Sequence, residues 1–143
     1  MSSLRTSIEQ RATQGSDPIT YVHVQLEGFI DAANYPLFEK TLEKLLDSGR
    51  FHIVLDFKGV EYINSTGISG IIRFHQQCAS GGGGLVLSSV ARNVGITMHL
   101  LGVTSVVSVA KDVGEAEKAL KGIALDAETG TEERKVPVMA EKS

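Results

Sequence analysis

The four histidines and the single cysteine are the first candidates for metal binding or nucleophilic catalysis in this chain. No two histidines have the H-x-x-x-H or H-E-x-x-H spacing of a zinc site. They are His23, His52, His75 and His99. His75 and Cys78 share the apolar stripe of one predicted helix, and no neighbour in the sequence would activate the thiol. We therefore expect both to be packed in the core, and we expect no metal site.

Two further groupings could belong to an enzyme. Gly81–Gly84 is rich in glycine, as phosphate loops are, but no Lys-Ser or Lys-Thr follows it and it precedes a strand instead of opening a helix. It is better interpreted as a helix-to-strand turn. Asp56 and Glu61 could form a carboxylate pair, but solvated loop charges are the simpler interpretation. The sequence thus indicates no catalytic constellation and no cofactor, and it favours a protein that is not an enzyme.

Ser65 is the hydroxyl whose position suggests a function. It lies between a strand-exit segment and the start of a helical pattern, where its side chain can cap backbone N–H groups and stabilise the helix by about 1 kcal/mol. A phosphate on the same oxygen would place about −1.5 to −2 charges at the positive end of the helix dipole, which the folded state can tolerate. The same anion would repel or reorient a protein docked beside it. Ser65 is therefore a candidate phosphorylation switch.

The face of this helix opposite its apolar stripe is a candidate docking surface. The stripe comprises Ile68, Ile71, Ile72, His75, Cys78 and Ala79. The opposite face comprises Thr66, Gly67, Gly70, Arg73, Phe74 and Gln77. A helical glycine costs about 1 kcal/mol relative to alanine, so Gly67 and Gly70 suggest the close approach of another backbone. An exposed Phe74 would be an aromatic anchor for a partner. The alternative is that the glycines pack against a loop of the same chain.

Composition limits the classes of partner. The 143 residues are 42% hydrophobic and carry a net charge of −3, with a pI near 5.8, so a nucleic-acid partner is not expected. A single cysteine excludes a disulfide within the chain. No apolar run approaches the roughly 20 residues of a membrane span, and the first residues do not resemble a signal peptide. We expect a cytoplasmic protein that does not insert into a membrane.

Hydrophobic patterning predicts an α/β fold with the element order β-β-α-β-α-β-α-β-α. The predicted strands are Leu4–Arg11, Ile19–Ile30, Phe51–Phe57, Leu85–Leu87 and Val106–Val109. Lys58–Asn64 is predicted to be a link. An opening hairpin and right-handed β-α-β crossovers give a mixed, mostly parallel sheet of four or five strands with about four helices. Because the pattern stops at Ala124, residues 1–123 are predicted to be one domain and residues 124–143 a disordered tail.

Three stretches of the chain resemble a known family. They are Leu26–Gly28 with Asp31, then Ile53–Asp56, then Gly59–Ile68. In this order they are similar to the signature of STAS domains, the family of bacterial anti-sigma factor antagonists and of the soluble domains of sulfate transporters. The resemblance covers about residues 4–122 and implies a single-domain STAS-like fold.

The resemblance implies a protein that binds a partner and is switched. In the family, an unphosphorylated antagonist binds an anti-sigma factor, a GHKL-type serine kinase, and thereby frees the sigma factor. The kinase uses ATP to phosphorylate the serine that opens the second helix, and a metal-dependent serine phosphatase reverses the reaction. The matching position is Ser65, with Thr66 as the alternative acceptor. The expected partner-binding residues are Asp31, Asn64, Gly67, Gly70, Arg73, Phe74 and Gln77.

Asn64 departs from the family pattern, which usually has Asp before the acceptor serine. Asn keeps the turn-forming shape and removes the charge, which either eases a second anion at Ser65 or weakens recognition by a kinase that reads Asp. Two other functions stay open. One is a non-phosphorylated STAS subunit of a transporter or sensory assembly, and the other is a small-molecule-binding domain with a crevice at the top of the sheet. We expect a monomer or a weak dimer.

Overall fold

The computed structural model describes residues 3–128 and has the predicted element order, with one added 3₁₀ turn. The strands are β1 (Leu4–Ala12), β2 (Thr20–Ile30), β3 (His52–Ile63), β4 (Gly84–Ser88) and β5 (Ser108–Ala110). The helices are α1 (Tyr35–Asp47), α2 (Ser65–Ser80), α3 (Arg92–Leu100) and α4 (Val113–Glu128), and the 3₁₀ turn is Val103–Ser105. The α/β fold class predicted from the sequence is confirmed.

The five strands form one sheet in the order β1-β2-β3-β4-β5. β1 and β2 are antiparallel and form the predicted hairpin, whereas β2 to β5 run parallel to one another. Helices α1, α2 and α3 pack on one face of the sheet, and α4 packs on the other, against β3, β4 and β5. Because β2 and β3 are parallel neighbours, the segments that follow them meet at the same end of the sheet.

Two hydrophobic cores lie on the two faces. The larger core, under α1 to α3, includes Phe38, Leu55 and Phe74, all fully buried. The smaller core lies under α4 and comprises Tyr21, Val54, Val86, Ala116 and Leu120. The buried half of β3 therefore contacts apolar groups on both faces, which is typical of a central strand with a continuous apolar run. Within residues 3–128, no helix is long and apolar enough to cross a membrane.

β3 is longer than predicted, because most of the segment Lys58–Asn64 belongs to it and is not a link. Its ladder with β2 continues to Ile63 through two register irregularities. These irregularities break the alternation of buried and exposed side chains, so Val60 and Ile63 are each 2% exposed although they are three residues apart. A strand in which buried and exposed side chains do not alternate cannot be recognised from the alternation of apolar and polar residues in the sequence.

The last two elements also differ from the prediction. β5 is shorter than predicted, and Val106 lies ahead of it and is 43% exposed. α4 continues to Glu128, so the predicted disorder is wrong for residues 124–128. The physical reason is that extending a helix by one residue costs far less than starting it, so polar residues can follow a packed segment in helical form. Residues 129–143, the rest of the predicted tail, lie outside the described residues.

Candidate functional site

The junction of β3 and α2 is built around Asn64. Its backbone N–H donates to the carbonyl of Ile30, at the end of β2, at 3.0 Å. Its side-chain Oδ1 accepts the backbone N–H of Gly67 at 2.9 Å. Asn64 is therefore the N-cap of α2. The prediction that Ser65 caps this helix is wrong, because Ser65 is already the first helical residue.

Ser65 and Thr66 are both exposed at the start of α2. Within residues 3–128, neither hydroxyl is hydrogen-bonded to another residue. The backbone N–H groups of the first helical turn and the helix dipole favour an anion at this end. Ser65 Oγ is thus accessible to an enzyme, and a phosphate there would lie where the helix stabilises negative charge.

Gly67 and Gly70 are buried, so they do not lie on an exposed face of α2 as predicted. A Cβ at Gly67 would lie 2.8 Å from Cγ2 of Ile30 and 2.8 Å from Cγ1 of Ile63. A Cβ at Gly70 would lie 2.6 Å from Oη of Tyr35. The two glycines therefore let α2 approach the strand ends and α1. The alternative interpretation, that these glycines pack within the same chain, is correct, although they pack against strand ends and α1 and not against a loop.

Phe74 is fully buried, so the prediction of an exposed aromatic anchor is wrong. Its ring packs edge-to-face on Phe38 of α1, with the ring centroids 6.2 Å apart. The buried residues of α2 are Gly67, Ile68, Gly70, Ile71, Phe74 and Cys78. Because α2 packs against both the sheet and α1, its buried face is rotated toward α1, and Ala79 is exposed although it was assigned to the apolar stripe.

Arg73 and Gln77 reach the surface of α2. The Arg73 side chain is 41% exposed and donates hydrogen bonds to Oη of Tyr35 at 3.0 Å and to Oε2 of Glu39 at 2.8 Å. The hydrogen bond with Tyr35 is the main cause that raises the pKa of Arg73 above its ordinary value. The guanidinium therefore remains charged and is held over α1, with part of its surface available to a partner.

The turn between β2 and α1 lies beside this junction. Asp31 is half-buried in the turn, where its Oδ1 accepts the backbone N–H of Asn34 at 3.1 Å. Two exposed apolar side chains lie at the same end of the sheet, Leu37 in the first turn of α1 (44% exposed) and Tyr62 in β3 (48% exposed). Neither is among the partner-binding residues predicted from the sequence. Leu37 follows the periodicity of core positions and Tyr62 was assigned to a link, so the sequence holds no signal of their exposure.

Asp56 belongs to a buried polar contact in the sheet. Its Oδ2 lies 2.9 Å from Nε2 of His23, and the two residues are 7% and 2% exposed. Its Oδ1 accepts the backbone N–H of Lys58 at 3.0 Å. The interpretation of Asp56 as a solvated loop charge is wrong, whereas Glu61 is exposed as that interpretation required. The contact with His23 joins β2 to β3.

Cys78 is fully buried, as the sequence predicted. Burial raises the pKa of its thiol to about 12. The thiol is therefore protonated near neutral pH and is a poor nucleophile. His75, on the same helix, is half-buried, and burial lowers its pKa.

Comparison with known proteins identifies the family. The sequence profile of the STAS domain matches residues 10–116. This chain belongs to the STAS family. This STAS protein is 29% identical over 96 residues to BtrV of Bordetella bronchiseptica, whose name marks it as a candidate anti-sigma factor antagonist. The match covers 67% of this chain and 83% of BtrV.

Solved structures agree with the STAS fold. An anti-sigma factor antagonist from Mycobacterium paratuberculosis superimposes with a TM-score of 0.62 at 18% identity, covering 80% of this chain and 95% of that one. The Bacillus cell fate determinant SpoIIAA in its phosphorylated form superimposes with a TM-score of 0.55 at 11% identity, covering 79% and 99% of the two chains. At these identities the similarity establishes the fold, as predicted.

Proposed function

We propose that this STAS protein is a cytoplasmic anti-sigma factor antagonist that binds an anti-sigma factor serine kinase and is released when that kinase phosphorylates Ser65. The observation that carries the proposal is an exposed hydroxyl on the first residue of a capped helix. The name of BtrV and the phosphorylated structure of SpoIIAA support it, since both belong to proteins with the same fold or a similar sequence.

The proposed docking surface surrounds Ser65 at one end of the sheet. From the predicted partner-binding residues it retains Asp31, Asn64, Arg73 and Gln77, and it adds the exposed Leu37, Tyr62 and Thr66. Gly67, Gly70 and Phe74 lie beneath this surface and act on it by fixing the position of α2. The surface thus combines apolar contact area with the charge of Arg73, a mixture common in protein interfaces.

Phosphorylation would act on this surface by electrostatics. The phosphate adds about −1.5 to −2 charges at Ser65, whose side chain is neutral before phosphorylation. Asn64 brings no charge of its own to the junction, and its side chain already satisfies the N–H of Gly67. The folded state therefore accommodates the anion, while a docked partner must desolvate it or move away. A metal-dependent serine phosphatase would restore the binding form.

Phosphorylation of matched serine variants tests this function. We expect the wild-type chain, incubated with its kinase and ATP, to gain roughly 80 Da, the mass of one phosphate. Ser65→Ala should gain nothing, whereas Thr66→Ala and Ser69→Ala should be modified like the wild type. Ser69 is the matched control because it is exposed on the same helix, one turn further on. Modification of Ser65→Ala to the same extent as the wild type would contradict the assignment.

A further inference from the structure

β1 forms an open edge of the sheet. All nine of its residues pair with β2 in one unbroken register, from Leu4 opposite Gly28 to Ala12 opposite Thr20. Within residues 3–128, no strand pairs with its other side. The opposite edge strand, β5, has only three residues. β1 is therefore the longer of the two edges at which another strand could join the sheet.

The backbone groups on this edge can be assigned from the ladder. The carbonyl of Ser3 accepts the N–H of Phe29 at 2.8 Å, and the N–H of Thr13 donates to the carbonyl of Ile19 at 3.0 Å. Every second residue of an antiparallel strand bonds to the same neighbour, so the odd-numbered residues from 3 to 13 bond to β2. The backbone groups that point away from the sheet belong to Leu4, Thr6, Ile8, Gln10 and Ala12.

β1 lacks several features by which edge strands avoid pairing. It contains no proline and no lysine, and no bulge interrupts its register with β2. Ile8, at the middle of the strand, is 50% exposed. A regular edge with an exposed isoleucine at its centre is suited to the addition of a strand.

The charges of β1 are complementary to a second copy of the same strand. If two copies pair antiparallel about Ser7, Arg5 of each lies opposite Glu9 of the other. Within each chain Arg5 is paired with Glu27 and Glu9 with Arg11, so this register joins the existing ion pairs into two networks of alternating charge across the edge. Pairing about Ile8 would instead place Arg5 opposite Arg11. The register about Ser7 also aligns the outward-pointing residues of one copy with those of the other, as hydrogen bonding between the two edges requires.

We propose that this protein forms a homodimer by antiparallel pairing of β1 about Ser7, which joins two five-stranded sheets into one of ten strands. A single strand pair buries less than the roughly 800 Å² per partner of a stable complex, so the dimer is weak and depends on concentration. In the sheet, β2 lies between β1 and β3, and Ser65 follows β3. Ser65 of each copy therefore stays accessible in the dimer. The dimer does not depend on the proposed function.

Analytical ultracentrifugation of the full chain, from about 1 µM to about 1 mM, tests the dimer. We expect the mean mass to rise from monomer to dimer over this range. Glu9→Arg places like charges opposite each other at both symmetric sites, and it should raise the dissociation constant at least about tenfold. Glu61→Arg makes the same charge change at an exposed site on β3 and should leave the dissociation constant within about twofold.

A proline variant tests the same edge without changing charge. Ile8→Pro removes an outward N–H and no bond to β2, so it should abolish the dimer and retain the far-ultraviolet circular dichroism of the monomer. Ser7→Pro removes a bond to β2 and should lower the melting temperature. A wild-type chain that is monomeric at about 1 mM would overturn the proposal. So would a dimer that neither Glu9→Arg nor Ile8→Pro weakens.

Discussion

The phenol ring of Tyr35 in α1 lies directly against the backbone of Gly70 in α2. A Cβ at residue 70 would lie 2.6 Å from Oη and 2.8 Å from Cε1 of that ring. The same Oη accepts a hydrogen bond from Arg73, one helical turn later, at 3.0 Å. These contacts fix α2 on α1, and they thereby fix the direction in which Ser65 is presented to a partner.

Gly70→Ala should lower the free energy of unfolding by up to about 2 kcal/mol. Overpacking against Tyr35 costs about 1–3 kcal/mol, and the better helix propensity of alanine returns about 1 kcal/mol. Gly122→Ala in α4 is the matched control, because nothing lies within 4 Å of a Cβ there. It should stabilise the protein by about 0.5–1 kcal/mol. Urea denaturation of both variants measures the difference, and equal effects would refute the contact.

Phe74→Ala should lower the free energy of unfolding by about 3–5 kcal/mol, because the fully buried ring leaves a cavity beside Phe38. Gln77→Ala, one turn along the same helix at an exposed site, should change it by less than about 0.5 kcal/mol. Chemical denaturation compares the two. Similar small losses in both variants would mean that Phe74 lies on the surface.

Asn64→Ala should lower the free energy of unfolding by about 1 kcal/mol, because it removes the side-chain cap on the N–H of Gly67. Asn64→Asp keeps the cap and adds a negative charge at the positive end of α2, so it should stabilise by about 0.3–1 kcal/mol at low ionic strength. Thermal unfolding at low and high salt measures both changes. If the stabilisation by Asn64→Asp were as large at high salt as at low salt, the carboxylate would not be acting through the helix dipole of α2.

Ser65→Asp should weaken binding to the proposed partner kinase by at least about 1.4 kcal/mol, a tenfold change in the dissociation constant. The added carboxylate imitates part of the charge of a phosphate, at the centre of the proposed docking surface. Ser69→Asp places the same charge one turn along α2 and should have a smaller effect. Titration calorimetry with the purified kinase measures both, and an affinity unchanged in Ser65→Asp would rule out the electrostatic switch.

The stability of the protein should fall with pH above about pH 10, in part through Tyr21. Burial, followed by the hydrogen bond with Glu117, raises the pKa of Tyr21 from 10.0 to about 12. Because the folded-state pKa is the higher one, this contribution is complete below pH 10 and is lost as the pH rises towards 12. Tyr21→Phe should lose stability less steeply. Urea midpoints at about pH 8, 10 and 11 measure the slopes, which would be parallel if Tyr21 did not contribute.

The order of the elements and the start of α2 could be predicted from the sequence, because both follow from local signals. Continuous apolar runs predicted the buried strands β3 and β4, and the helical periodicity after Ser65 predicted α2. The cap was assigned one residue too late, since Asn64 and Ser65 are both good N-cap residues and only the backbone geometry distinguishes them.

The sequence by itself determined that a hydroxyl opens the second helix of a mixed, mostly parallel α/β fold. Only the tertiary structure decided which face of that helix is buried. Helical periodicity places residues on faces but does not show which neighbours cover those faces. The packing of Tyr35 against Gly70, and of Phe38 against Phe74, buried residues that an isolated helix would expose. The β3 extension was hidden for a similar reason, since its irregular register is set by pairing with β2.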